Sequence, residues 1–300
     1  MKDFISIADI DRSKMEELLS LAAELKKDRT GRNDLEGKTV ALVFHKPSLR
    51  TRVSFEVGVS ELRGHAMYVT DAEIKMGQRE STYDIGKVLS RYVHGIMIRT
   101  FAHTNCTELA EAADVPVING LTDLTHPCQV MGDIMTCIEH GKDPDSMVVA
   151  FIGDGNNVAN SWINAAGNMP FLLRIAGPSG YDPDPGLLAA ARSKGARVEL
   201  LRDPIKAVTG ADVVYTDVWT SMGQEAEKSA RERQFRPYQV NDDLLAHAAP
   251  DAIVLHCLPA HRGEEITDAV MDGARSAVFD QAENRLHAQK AIMVELMGEA

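Results

Sequence analysis

TVALVFHKPSLRTRVSFE, residues 39–56, carries an apolar β-rich run into Pro47 and then, through a turn rich in Ser, Thr and Arg, directly into a helix. Ser48 is the natural N-cap of that helix. The unpaired N–H groups of a first helical turn, together with the positive end of the helix dipole, favour a phosphate. The hydroxyls of Ser48 and Thr51 add donors, and Arg50 can offer a two-pronged hydrogen bond to the same anion. Arg52 lies about 200° around the helix from Arg50, so Arg50 alone is expected at the ligand.

The alternation of strand and helix extends in both directions. Upstream, Asp11 caps an amphipathic helix in which Met15, Leu18, Ala22 and Leu25 keep helical spacing as far as Lys26–Lys27. Downstream, HAMYVT (65–70), GIMIRTF (95–101), PVING (116–120) and a helical 129–140 complete a parallel α/β half. The loop Gly141-Lys-Asp-Pro-Asp145 precedes a second series of strands at 147–153, 172–177, 197–202, 212–218 and 252–258. A helical stretch, 283–300, closes the chain. The expected fold is therefore α/β, with two sequential doubly wound parallel-sheet domains, 1–140 and 141–282, and an interdomain active-site cleft where strand C-termini face each other.

Composition narrows the function. A net charge of −12, from 32 Lys+Arg against 44 Asp+Glu, repels a polyphosphate backbone, and no basic patch stands apart to overcome it. Nucleic acid is not an expected partner. The longest apolar run, Met147 to Ile152, is six residues, against roughly 20 needed to cross a bilayer, so no membrane span is expected. Asp3, Asp9 and Asp11 argue against a secretory signal. Cys106, Cys128, Cys137 and Cys257 lack C-x-x-C spacing, which points to free thiols in a reducing cytoplasm.

Further ligand groups recur where open α/β sheets place them. Arg99 ends the apolar strand GIMI, and His126-Pro-Cys-Gln129 follows a loop at the start of a helix. Alone, each reads as a structural residue. Together with Thr51, Arg99 and a protonated or donor-tautomer His126 can aim at a carbonyl oxygen that gains negative charge.

In the second half, Phe151-Ile-Gly-Asp-Gly-Asn-Asn-Val158 follows a strand and precedes a helix, as a dinucleotide fingerprint does. The third glycine position is Val158, and the next strand ends in Gly177-Pro178 without an acidic ribose ligand, so an NAD-dependent dehydrogenase is a poor second reading. Asn157 can instead bind an amino-acid carboxylate. Asp217 ends the strand VVYTDVW, ahead of the loop Thr220-Ser-Met-Gly223, and invites a cation. His256-Cys257-x-x-x-His261 hints at a metal. Adjacent strand residues point to opposite faces, however, so His256 and Cys257 are not expected to share an ion, nor His256 to activate Cys257 as a nucleophile. No metal and no cofactor are expected.

These motifs together resemble the aspartate/ornithine carbamoyltransferase family over nearly the whole chain. The resemblance rests on S-L-R-T-R at 48–52, R-T-F at 99–101, H-P-C-Q at 126–129, G-D-G-N-N at 153–157, D-V-W-T-S-M-G at 217–223, H-C-L-P at 256–259 and A-E-N-R-L-H-A-Q-K at 282–290. It implies that residues 1–140 bind carbamoyl phosphate through Ser48, Leu49, Arg50, Thr51, Arg99, His126 and Gln129, with Cys257, Leu258 and Arg285 closing over it. It implies that 141–282 bind L-ornithine through Asn157, Asp217, Ser221 and Met222, and that the last helix crosses back onto the first domain. Arg99, His126, Asp217 and Cys257 would be the catalytic residues. The implied reaction, part of arginine metabolism, moves the carbamoyl group to the δ-amine of ornithine and yields L-citrulline and phosphate. The implied assembly is a homotrimer or a multiple of trimers, and the Leu258–Pro259 peptide is expected to be cis.

Two departures stand out. Leu49 occupies a position where the commonest motif has Thr, which removes a hydroxyl but leaves the backbone N–H. Lys75 stands where relatives often carry Gln, which puts in doubt a contact from that loop to a neighbouring subunit. Between substrates, Asp217 and the 221–223 loop suit a second amino group better than the second carboxylate of aspartate, while putrescine lacks the carboxylate that Asn157 would bind.

Overall fold

The computed structural model of the chain describes residues 1–77, 79–220 and 225–298. Its strands are β1 (Thr39–Phe44), β2 (His65–Thr70), β3 (Gly95–Arg99), β4 (Val117–Leu121), β5 (Val148–Ile152), β6 (Leu172–Ala176), β7 (Arg197–Leu201), β8 (Val213–Thr216) and β9 (Ile253–His256). Among the described residues they form two parallel sheets, ordered β2-β1-β3-β4 and β7-β6-β5-β8-β9. The central strands are buried at nearly every position, as strands covered by helices on both faces must be. That is why their sequences are unbroken apolar runs without alternation.

Each sheet reverses direction once. In the first, the chain leaves β1 for β2 on one side and returns to β3 on the other; in the second, β6 and β7 lie to one side of β5 while β8 and β9 lie to the other. Loops leaving the carboxyl ends of β1 and β3, and of β5 and β8, diverge at these points and leave a crevice in which α/β sheets bind ligands. The strands stop a residue or two short of the apolar runs seen in the sequence, at Arg99 in place of Phe101, Thr216 in place of Val218 and His256 in place of Leu258. Asp217 and Cys257 thus sit just beyond strand ends, in irregular backbone.

Contacts divide the chain into two compact units, one of residues 1–132 and 284 onward, the other Asp133–Glu283. The breakpoints fall inside the helices Pro127–Glu139 and Val278–Met297, and the latter begins five residues earlier than the sequence pattern suggested. In the first unit, Ile96, Ile98, Cys106 and Leu109 pack between β3 and the helix His103–Ala112. In the second, Trp162 lies edge-on to Phe171 and Tyr215, and Phe151 stacks on Tyr215 at 5.2 Å.

The glycines that suggested a dinucleotide site have another cause. A Cβ on Gly155 would lie 2.2 Å from the backbone nitrogen of Pro183, and one on Gly177 would lie 2.3 Å from the carbonyl oxygen of Gly153. Close approach of one chain segment to another demands glycine there, without a pyrophosphate. Gly155→Ala should therefore destabilise the second unit by about 1–3 kcal/mol, the usual cost of forcing backbone apart. Denaturant titration checks this, and an unchanged midpoint would refute it.

Candidate active site

The first unit builds a cationic pocket at the divergence of β1 and β3. Ser48 caps the helix Leu49–Glu61, accepting from the backbone N–H of Thr51 at 3.4 Å and donating to its hydroxyl at 3.1 Å. Thr51 is fully buried, and its Oγ1 also accepts from Arg99 Nη1 at 3.3 Å and from Arg285 Nη2. Arg285 Nη1 donates to Gln129 Oε1 at 3.3 Å. Thr51, Arg99, Gln129 and Arg285 are thus brought together, although Arg285 lies far along the chain. The register of β3 against β4 slips between Ile98 and Arg99, the kind of irregularity that re-aims a side chain.

His126 enters from the loop after β4, and its carbonyl accepts from the N–H of Gln129 at the start of the helix Pro127–Glu139. Burial, reinforced by the nearby charges of Arg285, Arg99, Lys46 and Arg50, holds its imidazole well below the ordinary histidine range. Of the two states open in the sequence, this favours the neutral ring over the protonated one at pH 7. Arg50 is half-buried, with an Nε that is shielded from solvent and has no hydrogen-bond partner. Arg52 instead pairs with Glu56 at 2.9 Å and stacks on Tyr68 at 3.9 Å. Leu49 is 76% exposed, its side chain lying mostly in solvent.

Lys46 is the residue that sequence reasoning missed here. It is buried, bridges to Asp123 at 3.0 Å and lies 5.0 Å from the Phe101 ring. Its place between β1 and the Ser48 cap was the available signal.

The second unit collects a carboxylate site at the divergence of β5 and β8. Asp217 Oδ1 accepts from Cys257 Sγ and from its neighbour Val218 N–H, both at 2.8 Å, while Oδ2 accepts from Asn156 Nδ2 at 2.6 Å. Asn156, also missed, is the true cap of the helix Asn157–Ala166. Asn157 is its first residue and is half-buried. One turn earlier, Asp154 pairs with the buried Arg231. Burial outweighs the pull of Arg231 and pushes the Asp154 carboxyl up to about 6. Ser221 and Met222 lie outside the described residues.

The alternation argument about His256 and Cys257 fails, because β9 ends at His256 and Cys257 no longer belongs to the strand. Donor atoms of Asp217, His256 and Cys257 lie within 4.8 Å of one another. Both imidazole nitrogens are nevertheless engaged: Nδ1 accepts from Leu258 N–H at 2.9 Å, and Nε2 meets the buried Glu265 carboxylate at 3.0 Å. The pair braces the segment that carries Leu258, whose φ is +58° and whose bond to Pro259 is cis. Cys257 and Leu258 belong to the second unit, whereas the other residues expected around the phosphate belong to the first.

Residues 2–139 match the family model "Aspartate/ornithine carbamoyltransferase, carbamoyl-P binding domain", and residues 145–296 match its "Asp/Orn binding domain". The chain is 52% identical over 296 residues to the ornithine carbamoyltransferase of Syntrophus aciditrophicus, covering 97% of this chain and 98% of the relative. It is 51% identical over 301 residues to that of Archaeoglobus fulgidus, covering 99% and 98%. The solved ornithine carbamoyltransferase from Pyrococcus furiosus superposes with a TM-score of 0.95 at 46% identity, covering 100% of this chain and 98% of that one.

The neutral His126 has a consequence for stability. Its native value lies below the unfolded one of about 6.5, so beneath that pH the unfolded chain takes up a proton that the native ring refuses. The contribution is intact above about 6.5 and is lost on acidification, at up to about 1.4 kcal/mol per pH unit. His103, also lowered by burial, acts in the same direction. Urea midpoints between pH 7 and 5.5 should therefore fall less steeply for His126→Gln than for the parent; parallel slopes would show that His126 takes up its proton in the native state as readily as in the unfolded one.

Proposed function

The chain belongs to the aspartate/ornithine carbamoyltransferase family, and on that footing we propose that it transfers the carbamoyl group of carbamoyl phosphate to the δ-amine of L-ornithine, giving L-citrulline and phosphate. The observation that carries this reading is the coexistence in one chain of a buried His126 ringed by four cations, three of them buried, and a carboxylate, Asp217, set among amide and thiol donors.

Carbamoyl phosphate binds through the first turn at Ser48–Thr51, with Arg50, Arg99, Gln129 and Arg285 on its oxygens. The neutral His126, Arg99 and Thr51 then donate to the carbonyl oxygen, which becomes an oxyanion as the amine attacks. Ornithine binds with its α-carboxylate at Asn157 and its amine toward Asp217, Cys257 and the backbone of Leu258, with Ser221 and Met222 completing the contact. No protein nucleophile takes part. The amine, with a lysine-like pKa of about 10.4, costs about 4.6 kcal/mol to present uncharged at pH 7, and Asp217 is the acceptor placed to bind it and relay its proton. Of the two protons the nitrogen sheds, one leaves with the phosphate as HPO4(2−) and the other passes to solvent. Transfer requires the amine held by the second unit to reach the carbonyl held by the first.

The family kinship supports a homotrimer or a multiple of trimers. Cys106, Cys128 and Cys137 are buried outside any disulfide, which supports a reducing, cytoplasmic location. Among the described residues no helix is long and apolar enough to cross a membrane. An NAD-dependent dehydrogenase is not favoured, since Gly155 and Gly177 are accounted for by close approach to Pro183 and Gly153.

Incubation of the purified protein with carbamoyl phosphate and, separately, ornithine, putrescine, N-acetylornithine and aspartate should give product with ornithine; product with only one of the others would replace the assignment. In the same assay Arg99→Ala should lower kcat about 10²–10³-fold, the typical loss of an oxyanion donor, with a much smaller change in KM for ornithine. The reverse pattern would remove Arg99 from the oxyanion role.

A further inference from the structure

Arg231 is 3% exposed, an unusual place for a guanidinium, and its contacts reach several segments of the second unit. Nε donates to the carbonyl of Trp219, two residues past Asp217. Nη2 donates to Asp154, in the turn that carries Asn156 and Asn157. The guanidinium carbon lies 4.6 Å over the Tyr181 ring and 5.4 Å over Phe235. Tyr181 in turn accepts through its carbonyl from the N–H of Gly155, at 2.9 Å. On the remaining side, Glu227 approaches Nη1 at 3.6 Å but is largely exposed.

Buried ion pairs are seldom the cheapest way to stabilise a fold, because desolvation offsets most of their attraction, and apolar residues of similar volume often serve as well. What such a pair does supply is fixed geometry. A planar guanidinium can hold a carboxylate and a carbonyl at once, in set directions, while its faces lie against aromatic rings. Here the two groups it holds are the strand-end segments after β5 and after β8, which present Asn157 and Asp217.

We infer that Arg231 is a positioning residue for the amino-acid site: without touching the substrate, it locks the Asp154 turn to the Asp217–Trp219 segment so that the α-carboxylate and side-chain amine of one ligand are met together. The raised carboxyl of Asp154 agrees with this, because burial disfavours its charge and the neighbouring Asp217 and Glu227 add to that effect, while Arg231 opposes it. The carboxylate form on which the Asn156 turn is anchored therefore depends on the guanidinium.

The inference rests on the proposed ornithine reading, and the test separates the two. L-norvaline, which is ornithine without the δ-amine and so cannot be carbamoylated there, is titrated calorimetrically into protein saturated with carbamoyl phosphate. Arg231→Met should raise the norvaline Kd at least tenfold while leaving carbamoyl phosphate affinity within twofold. Arg231→Lys should recover part of the loss, since an ammonium keeps the charge but not the two-directional contact. A folded Arg231→Met protein that binds norvaline within twofold of the parent overturns the inference alone. A parent that binds carbamoyl phosphate but forms no citrulline with ornithine overturns the ornithine reading and the inference with it, whereas a parent that forms citrulline but binds no norvaline overturns the inference alone. Should Arg231→Met not fold, Asp154→Asn decides: a tenfold weaker norvaline complex supports the lock, and an unchanged one refutes it.

Discussion

Lys46, Arg50, Arg99 and Arg285 carry like charge into a space largely withdrawn from water, and their mutual repulsion has to be met by the backbone that brings them there. In bulk water the solvent screens such charges from one another; in a buried setting it does so far less. The first unit meets the cost with rigid elements. Arg99 leaves the end of a fully buried strand at a break in register, Arg50 sits in a capped helical turn, and Arg285 projects from a helix anchored elsewhere by Lys290, which is buried and bound to Glu61 at 2.9 Å. Thr51 joins these parts, because a single hydroxyl oxygen accepts from two guanidinium groups. A ligand bearing two negative charges relieves the repulsion, so affinity and selectivity for a dianion come from the same source.

The second unit solves the opposite problem. Asp217 is buried, and its carboxyl is satisfied by an amide, a thiol and a backbone N–H, none of which brings a formal positive charge against it. The buried guanidinium of Arg231 pairs with Asp154 instead. The site thereby retains an unneutralised carboxylate, which suits a substrate that supplies its own cation.

Local signals made much of this legible in the sequence. The apolar strands, the caps at Asp11 and Ser48, and the strand-end position of Arg99 are each set by a few adjacent residues, and the structure carries them where the pattern indicated, with Asp217 one residue past its strand. Arg285 came only through family resemblance, since its bonds to Gln129 and Thr51 span 156 and 234 residues and no periodicity encodes them. The Asp154–Arg231 pair escaped for the same reason, being a contact across 77 residues, whereas Lys46, just ahead of the Ser48 cap, and Asn156, at an N-cap position, carried local signals that the reading passed over. The reading of His256 and Cys257 failed where strand alternation was extended one residue past the end of β9.

Because the first unit is completed by residues from 284 onward, its ligand pocket cannot exist on a nascent chain that has delivered only its amino-terminal half. During synthesis the whole second unit must emerge before Arg285 reaches Thr51 and Gln129. The ribosome thus releases the anion site last, and a polypeptide that stalls or is clipped before its final helix would retain most of its mass and none of that pocket's closure.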